Sequence, residues 1–315
     1  MKQPITVIHH SADFDGIFSR EVAKHFLGTE GVTYIGWDYG DPLIDMPAEG
    51  LVYVIDLNPE CIVADVSMKP APLSRIIWID HHKTAIDKLP ADIPGYRIDG
   101  VAACRLAWQW FSLYANWDPR EQQPPYELPN KTAYIDRQVM EPTAVMLAGE
   151  YDVWDKRNPD AETFQFGLRS EKTLDWERLL TEEAGVYTKW LIQRGTLLQD
   201  YQQQRDANIV KHRSFKVKFE GLTFLALNTA MGNSLTFKAL DVPETGHDAL
   251  MKMCYTGKHW EFSLYHARHN TGLDLSEIAK TVIYKGQRGG GHRGACGFQC
   301  SEWALLETGE LVLSV

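Results

Sequence analysis

ITVIHHSADFDG (5–16), LVYVID (51–56) and RIIWIDHH (75–82) are the three stretches on which the fold turns. Each opens with an unbroken run of β-branched and aromatic residues and ends in acids and imidazoles. Runs that are apolar without alternation predict strands buried on both faces, as in a parallel sheet. A fourth run, VTYIGW (32–37), belongs with them. Between the first two runs lies GIFSREVAKHFLG (16–28), with Ile17, Val22, Phe26 and Leu27 near helical spacing and a glycine at its end. Residues 61–68 predict a shorter helix before RIIWI. The order β-α-β-β-α-β reads as an open α/β sheet, mostly parallel and flanked by helices. In such a sheet the carboxyl ends of the strands share one edge, and ligand crevices form there. Three separate segments would therefore deliver their acids and histidines to one small volume.

Taken singly, each of these residues has a plainer explanation. A lone His9 or His10 is more often a satisfied or exposed side chain than a ligand, and Asp56 could cap a helix. Three such endings on successive strands are harder to assign to chance. So many carboxylates cannot stay ionised together without compensation, because like charges raise one another's pKa. A divalent cation resolves the conflict. Carboxylate oxygen with imidazole nitrogen and no thiolate suits Mn²⁺ or Mg²⁺ better than structural zinc. Six ligands sharing one carboxylate could hold two ions roughly 3.5–4 Å apart, an arrangement used for in-line phosphoryl displacement.

The 315 residues are 44% hydrophobic and 23% charged, which predicts one large or two medium globular domains with a core large enough to need no disulfides. From Val101 to Glu150 the pattern turns helical, with Pro142 as a break. Residues 175–212 predict a helical connector between an α/β domain (1–174) and a smaller α+β domain (213–315) built from SFKVKFE, LTFLALN, LMKMCYT, HWEFSLYHA and a helix over 275–282. Trp108, Trp110 and Phe111 lie at helical spacing and predict core packing rather than a base-stacking shelf. Five cysteines without a CxxC pair indicate neither a disulfide framework nor a zinc ribbon, and Cys296 and Cys300 read as small buried residues. With no long apolar run and no signal-peptide core, the expectation is a soluble cytoplasmic chain without membrane attachment. The formal charge is −10, and its acidic excess lies before His212: residues 1–212 carry 21 Lys+Arg against 32 Asp+Glu, residues 213–315 carry 11 against 10. That balance excludes a broad cationic groove for long nucleic acid.

HHSADFDG (9–16), VID (54–56) and IDHH (79–82) resemble the first three motifs of the DHH phosphoesterase superfamily. EYDVWDK (150–156) is similar to the fourth, with Asp152 the better match and Asp155 the reserve. GGGHRGACGF (289–298) resembles the glycine-rich signature of the C-terminal DHH-associated domain. These motifs follow the family's order over nearly the whole chain. The resemblance implies that His9, Asp13 and Asp56 hold one Mn²⁺, that Asp15, Asp56, His81 and Asp152 hold the other, and that Asp56 bridges. Asp80 would orient a ligating imidazole, and His82 would face the substrate phosphate. Gly290, Gly291, His292 and Arg293, with Arg268, would grasp the substrate. By composition alone the glycine run reads equally as a polyanion clamp or as a hairpin turn.

The reaction expected is hydrolysis of a phosphate ester by hydroxide held between two metals, without a covalent enzyme intermediate. The chain resembles the nano-RNase and oligoribonuclease branch, which implies short oligonucleotides or linear dinucleotides as substrates rather than long duplexes. A homodimer is compatible with this. The alternative enzyme is a phosphatase acting on pyrophosphate, polyphosphate or a bisphosphonucleotide. A regulatory nucleotide-binding module that no longer turns over would lack a ligand, and none is missing from the motifs.

Overall fold

The structure is a computed structural model that describes residues 4–62, 75–114, 132, 134, 140–155, 157–182 and 185–314. It divides into two compact units, Met1–Leu198 and Gln199–Val315. The divide, after Leu198, falls inside the segment expected as a helical connector. Most of the short helix expected over 61–68, and part of the helical stretch before Pro142, lie outside the described residues.

In the first unit, β1 (Ile5–His10), β2 (Val32–Trp37), β3 (Leu51–Ile55) and β4 (Ile76–Ile79) form a wholly parallel sheet in the order β2-β1-β3-β4. Alternate residues of each strand enter different cores. Val7, Leu51, Tyr53, Ile55, Ile77 and Ile79 pack with α1 (Phe14–Leu27) and its neighbouring helices. Ile8, Val52, Val54, Ile76 and Trp78 pack on the opposite face with Ala85 of α2 (Lys83–Lys88). This double burial is why β3 and β4 read as unbroken apolar runs. The first face is completed by α3 (Ala103–Tyr114), α4 (Thr143–Asp152), α5 (Asp160–Ser170) and α6 (Trp176–Thr181). Trp110 and Phe111 are in the core as expected, and Pro142 stands just before α4 rather than within it. Because β2 lies on one side of β1 and β3 on the other, chain order reverses between β1 and β3. That reversal opens a crevice at their carboxyl ends.

The helix α7 (Val186–Arg213) contains the divide at Leu198. The second unit carries a six-stranded mixed sheet. From edge to edge it runs β11 (Gly290–His292), β12 (Ala295–Cys300), β8 (Trp260–His266), β7 (Ala249–Tyr255), β6 (Leu222–Asn228) and β5 (Phe215–Phe219). Only the β6–β7 pair is parallel. The helix α8 (Leu275–Thr281) closes its core with Leu275 and Ala279 against Phe262, Leu264 and Phe298. Two small antiparallel ribbons, β9 (Ile283–Tyr284) with β10 (Gln287–Arg288) and β13 (Glu302–Leu305) with β14 (Leu311–Ser314), complete the unit. Cys296 and Cys300 are buried free thiols. No helix among the described residues is long and apolar enough to cross a membrane.

Candidate metal centre

The end of β1 and the start of α1 build the first part of the site. Asp13 caps α1, its Oδ1 accepting from the Gly16 amide at 3.1 Å. Gly16 is required there, since a Cβ would lie 2.2 Å from the His10 carbonyl oxygen. His10 turns its Nδ1 toward Asp13 Oδ2 (3.1 Å) and Asp56 Oδ2 (3.5 Å), while its Nε2 meets Asp38 Oδ1 at 3.2 Å. Asp13 first, then Asp56, pushes the His10 imidazole up to about 11.

His9 is not part of this group. It shares the strand face of Val7, packs beside Gly36, and gives its Nδ1 to the His10 carbonyl oxygen at 2.7 Å. Burial lowers its pKa to about 4. Period-two alternation along β1 places only one of two adjacent histidines at the crevice. The histidine that the structure brings to Asp13 and Asp56 is therefore His10, whereas His9, the ligand expected from the sequence, is not brought to them. Asp38, which follows β2, was not anticipated. The signal was available, because β2 also ends in an acid.

Asp56 follows β3 with φ of 61°, a left-handed conformation that aspartate tolerates better than most residues, and its amide donates to the Ile79 carbonyl at 2.9 Å. Its carboxylate is 1% exposed. After β4, Asp80 Oδ1 accepts from the amides of His81 (2.7 Å) and His82 (3.2 Å) and meets His82 Nδ1 at 2.7 Å. This fixes both histidines. His81 Nε2 then lies 3.3 Å from Asp56 Oδ1, 3.3 Å from Asp152 Oδ2 and 3.5 Å from Asp15 Oδ2.

Asp15 accepts from the amides of Ala103 (2.8 Å) and Cys104 (2.7 Å), so it also caps α3. Asp152 reaches the group from the last turn of α4. Asp155 does not: Arg157 Nε binds its two oxygens at 2.9 and 2.7 Å and holds its pKa down.

Crowding shows in the titration of these groups. Burial, then Asp56 and Asp152, raises Asp15 well above the carboxylate range. Burial also raises Asp152 to about 6, against the pull of His81. Although burial opposes charge on both partners, His10 and His81 keep Asp56 low, and Asp56 with Asp15 and Asp152 lifts His81 to about 10.

The donor atoms form two groups around one carboxylate. His10, Asp13 and Asp56 offer one set of atoms within 4.8 Å of one another, and Asp15, His81 and Asp152 offer another. Asp56 turns Oδ2 toward His10 and Oδ1 toward His81. Both of its buried oxygens, and His10 Nδ1, lack hydrogen-bond geometry despite these approaches. Buried polar atoms rarely stay unsatisfied, so ligand atoms converging without hydrogen bonds fit divalent cations. Oxygen and imidazole donors fit Mn²⁺ or Mg²⁺.

In the second unit, the glycine-rich segment is an edge strand and turn, β11 with the start of β12. Its glycines answer to close internal packing. A Cβ on Gly291 would lie 2.7 Å from Cys296 Cα, and one on Gly294 2.6 Å from His266 Nδ1, whereas one on Gly290 meets open space. Gly290 lines a cavity of about 310 Å³ together with Glu261, Tyr284, Arg288 and Gln299. His292 is exposed. Arg293 donates to the Gly272 carbonyl at 3.1 Å and approaches Asp274 at 3.4 Å. Arg268 is half exposed, with Nε 3.7 Å from Asp241.

No family model matches the chain, and no curated protein does. Among solved structures, one described as the DHH domain of a member of a family of ribosomal proteins aligns over 94% of this chain and 82% of its own, at 14% identity and a TM-score of 0.51. The chain has the DHH-domain fold. Two further structures align less closely. A pGpG-specific phosphodiesterase from Vibrio cholerae matches over 95% of this chain and 93% of its own, at 13% identity and a TM-score of 0.45. RecJ from Thermus thermophilus in complex with Mn²⁺ matches over 94% of this chain and 49% of its own, at 14% identity and a TM-score of 0.43. On the DHH fold, the acids and imidazoles of this chain stand at the carboxyl edge of the parallel sheet, at the ends of β1, β3 and β4.

Proposed function

We propose that this protein is a two-metal phosphoesterase that hydrolyses phosphodiester bonds of short oligonucleotides or linear dinucleotides to mononucleotides. The observation that carries the reading is the Asp56 carboxylate, buried, without hydrogen bonds, and facing one group of donors with each oxygen. His10, Asp13 and Asp56 would hold one divalent ion, and Asp15, Asp56, His81 and Asp152 the other, with Mn²⁺ the proposed metal. When bound, such ions lower the pKa of water and offset charge on a phosphoryl group.

The remaining steps fall to the chain itself. Asp38 orients His10 through its far nitrogen. Asp80 acts as a positioning residue: it grips His82 Nδ1, raises the pKa of that ring, and leaves Nε2 free on a side chain that is 41% exposed. His82 is thereby set to donate toward a phosphate oxygen or the leaving oxygen. Arg268, Gly290, Gly291, His292 and Arg293 are proposed substrate contacts in the second unit. Arg268 already lies beside Asp241 and Arg293 beside Asp274, so these two arginines would act by exchanging partners.

The charge of −10 supports a small substrate. A Mn²⁺-supplemented assay on a di- or trinucleotide, a cyclic dinucleotide, tripolyphosphate and 3′-phosphoadenosine 5′-phosphate tests the proposal. Mononucleotide release from the first alone is expected. Activity confined to tripolyphosphate or the bisphosphonucleotide would replace this reading with a phosphatase.

A further inference from the structure

The second unit holds another set of ligand-type side chains. Asp241, His247 and His269 bring one carboxylate oxygen and two imidazole nitrogens within 4.8 Å of one another. Asp241 precedes the short 3-10 turn Pro243–Thr245, His247 leads into β7, and His269 follows β8. The Asp241 and His247 side chains are 3% and 0% exposed. None of the three is itself assigned to the proposed reaction, although Asp241 also holds Arg268, one of its proposed substrate contacts.

Hydrogen bonding fixes which nitrogens are free. The Thr245 hydroxyl lies 2.8 Å from the Leu240 carbonyl and 2.6 Å from the Val242 carbonyl. Those oxygens only accept, so its one proton points to them. It must therefore accept from His247 Nδ1–H, at 2.6 Å. In the same way His269 Nε2, 2.8 Å from the His247 carbonyl oxygen, carries a proton. In the neutral rings, His247 Nε2 and His269 Nδ1 are left with lone pairs. Both face Asp241 Oδ1, at 3.3 and 3.9 Å.

Asp241 Oδ1, 3.3 Å from His247 Nε2, is satisfied either by a proton on that nitrogen, which makes the ring an imidazolium, or by a cation shared with both nitrogens. Donors about 2.0–2.1 Å from a tetrahedral ion stand about 3.3 Å apart; the Asp241–His247 pair already has that spacing, and His269 Nδ1, at 3.9 Å from Asp241 Oδ1, would move in by about half an ångström. The far nitrogens are already tied to a hydroxyl and a carbonyl, as they are in metal-ligating histidines generally. The Arg268 amide steadies the carboxylate, 3.2 Å from each oxygen, and Arg268 Nε lies 3.7 Å from Oδ2, which leaves Oδ1 turned to the histidines.

We propose that Asp241 Oδ1, His247 Nε2 and His269 Nδ1 form a second metal site, for a zinc-type divalent ion with its fourth position open on the partly exposed His269 side. Nitrogen-rich donors favour Zn²⁺ over Mn²⁺, so the site takes a different ion from the strand-end centre. It clasps the 241–247 segment to the end of β8.

The test uses the full chain freed of metal by chelation. Zinc calorimetry compares the wild type, Asp56→Asn and His269→Ala, with circular dichroism on each. His269→Ala is the working variant because its ring is partly exposed, whereas His247 is fully buried. One zinc equivalent that survives Asp56→Asn and weakens by about tenfold or more in His269→Ala is expected. Zinc-edge anomalous diffraction should place an ion about 2.0–2.2 Å from the three atoms. If His269→Ala binds zinc as the wild type does, or no anomalous peak lies among the three side chains, the proposal is overturned. In that event Asp241 and His247 form only an ion pair.

Discussion

Asp56 combines a left-handed backbone with a buried carboxylate that makes no hydrogen bond. Such strain persists where the surroundings impose it, and it costs on the order of 1–3 kcal/mol for residues that resist the conformation. Asparagine tolerates φ above zero and valine does not. Asp56→Asn is therefore expected to keep the wild-type circular dichroism while lowering kcat by about 10³-fold or more, and Asp56→Val should melt lower than Asp56→Asn. Equal melting of the two variants would show that the backbone is not strained. The two adjacent histidines separate as sharply. His10→Gln and Asp38→Asn should weaken Mn²⁺ binding by about 10-fold or more, whereas His9→Gln, which alters only the buried face toward α1, should leave it within about twofold. Reversal of that order would restore His9 to the centre. Protonation gives a third measurement. In the metal-free protein Asp13 and Asp56 push the His10 imidazole up to about 11, and, against burial, Asp56, Asp15 and Asp152 lift His81 to about 10, both above the 6.5 of the unfolded chain. The folded state then holds protons that the unfolded state has released, so the stability these groups contribute is fully present below pH 6.5 and is lost as pH rises through the folded pKa values. Chelated protein should melt lower at about pH 9 than at about pH 7. Mn²⁺-loaded protein, in which metal displaces those protons, should lose this slope. Identical slopes with and without metal would contradict the assignment.

At the level of elements, glycines set how closely helices approach. In the first unit α5 and α7 cross where a Cβ on Gly167 would lie 2.1 Å from the Leu191 carbonyl oxygen and one on Gly195 1.7 Å from that of Thr163. Glycine to alanine within a helix ordinarily stabilises by up to about 1 kcal/mol. Here the helices would have to separate, and Gly195→Ala is expected to destabilise by about 1–3 kcal/mol, read as a lower urea midpoint. A midpoint at or above the wild type would show that the crossing yields. The sequence carried the elements themselves well. Four parallel strands, α1 and α3 were legible because burial on both faces leaves unbroken apolar runs, and because helical spacing survives in Val22, Ala107 and Phe111. The strand ends that carry Asp56 and His81 were legible for the same reason, since acids after an apolar run mark where the strand leaves the core. The choice between His9 and His10 was not, because which residue of an adjacent pair faces the crevice depends on register against β2 and β3. The Asp241, His247 and His269 group was invisible for a related reason. Its members are separated by turns whose closure is set by Thr245 and the Ala267–Asn270 bridge rather than by any local pattern.

For the molecule as a whole, charge argues about substrate size. The first 212 residues carry 21 basic against 32 acidic side chains, and the last 103 carry 11 against 10. Neither part offers the excess of cations that lets a protein displace counterions from many phosphates at once. Affinity for a single strand falls with salt at a log–log slope of about −0.7 for each phosphate neutralised. An enzyme that meets a dinucleotide or trinucleotide engages only two or three phosphates. Its kcat/KM between about 50 and 200 mM salt is therefore expected to follow a slope no steeper than about −2. The same reasoning sets a competition. A long single strand supplied in excess should leave dinucleotide turnover within about twofold, because neither part of the sequence carries the excess of basic side chains that such a strand needs. A steep salt slope together with strong inhibition by the long strand would mean that local basic side chains such as Arg288, Arg293 and Lys285 act as an unrecognised track, and the substrate class would then be polymeric nucleic acid rather than its short fragments.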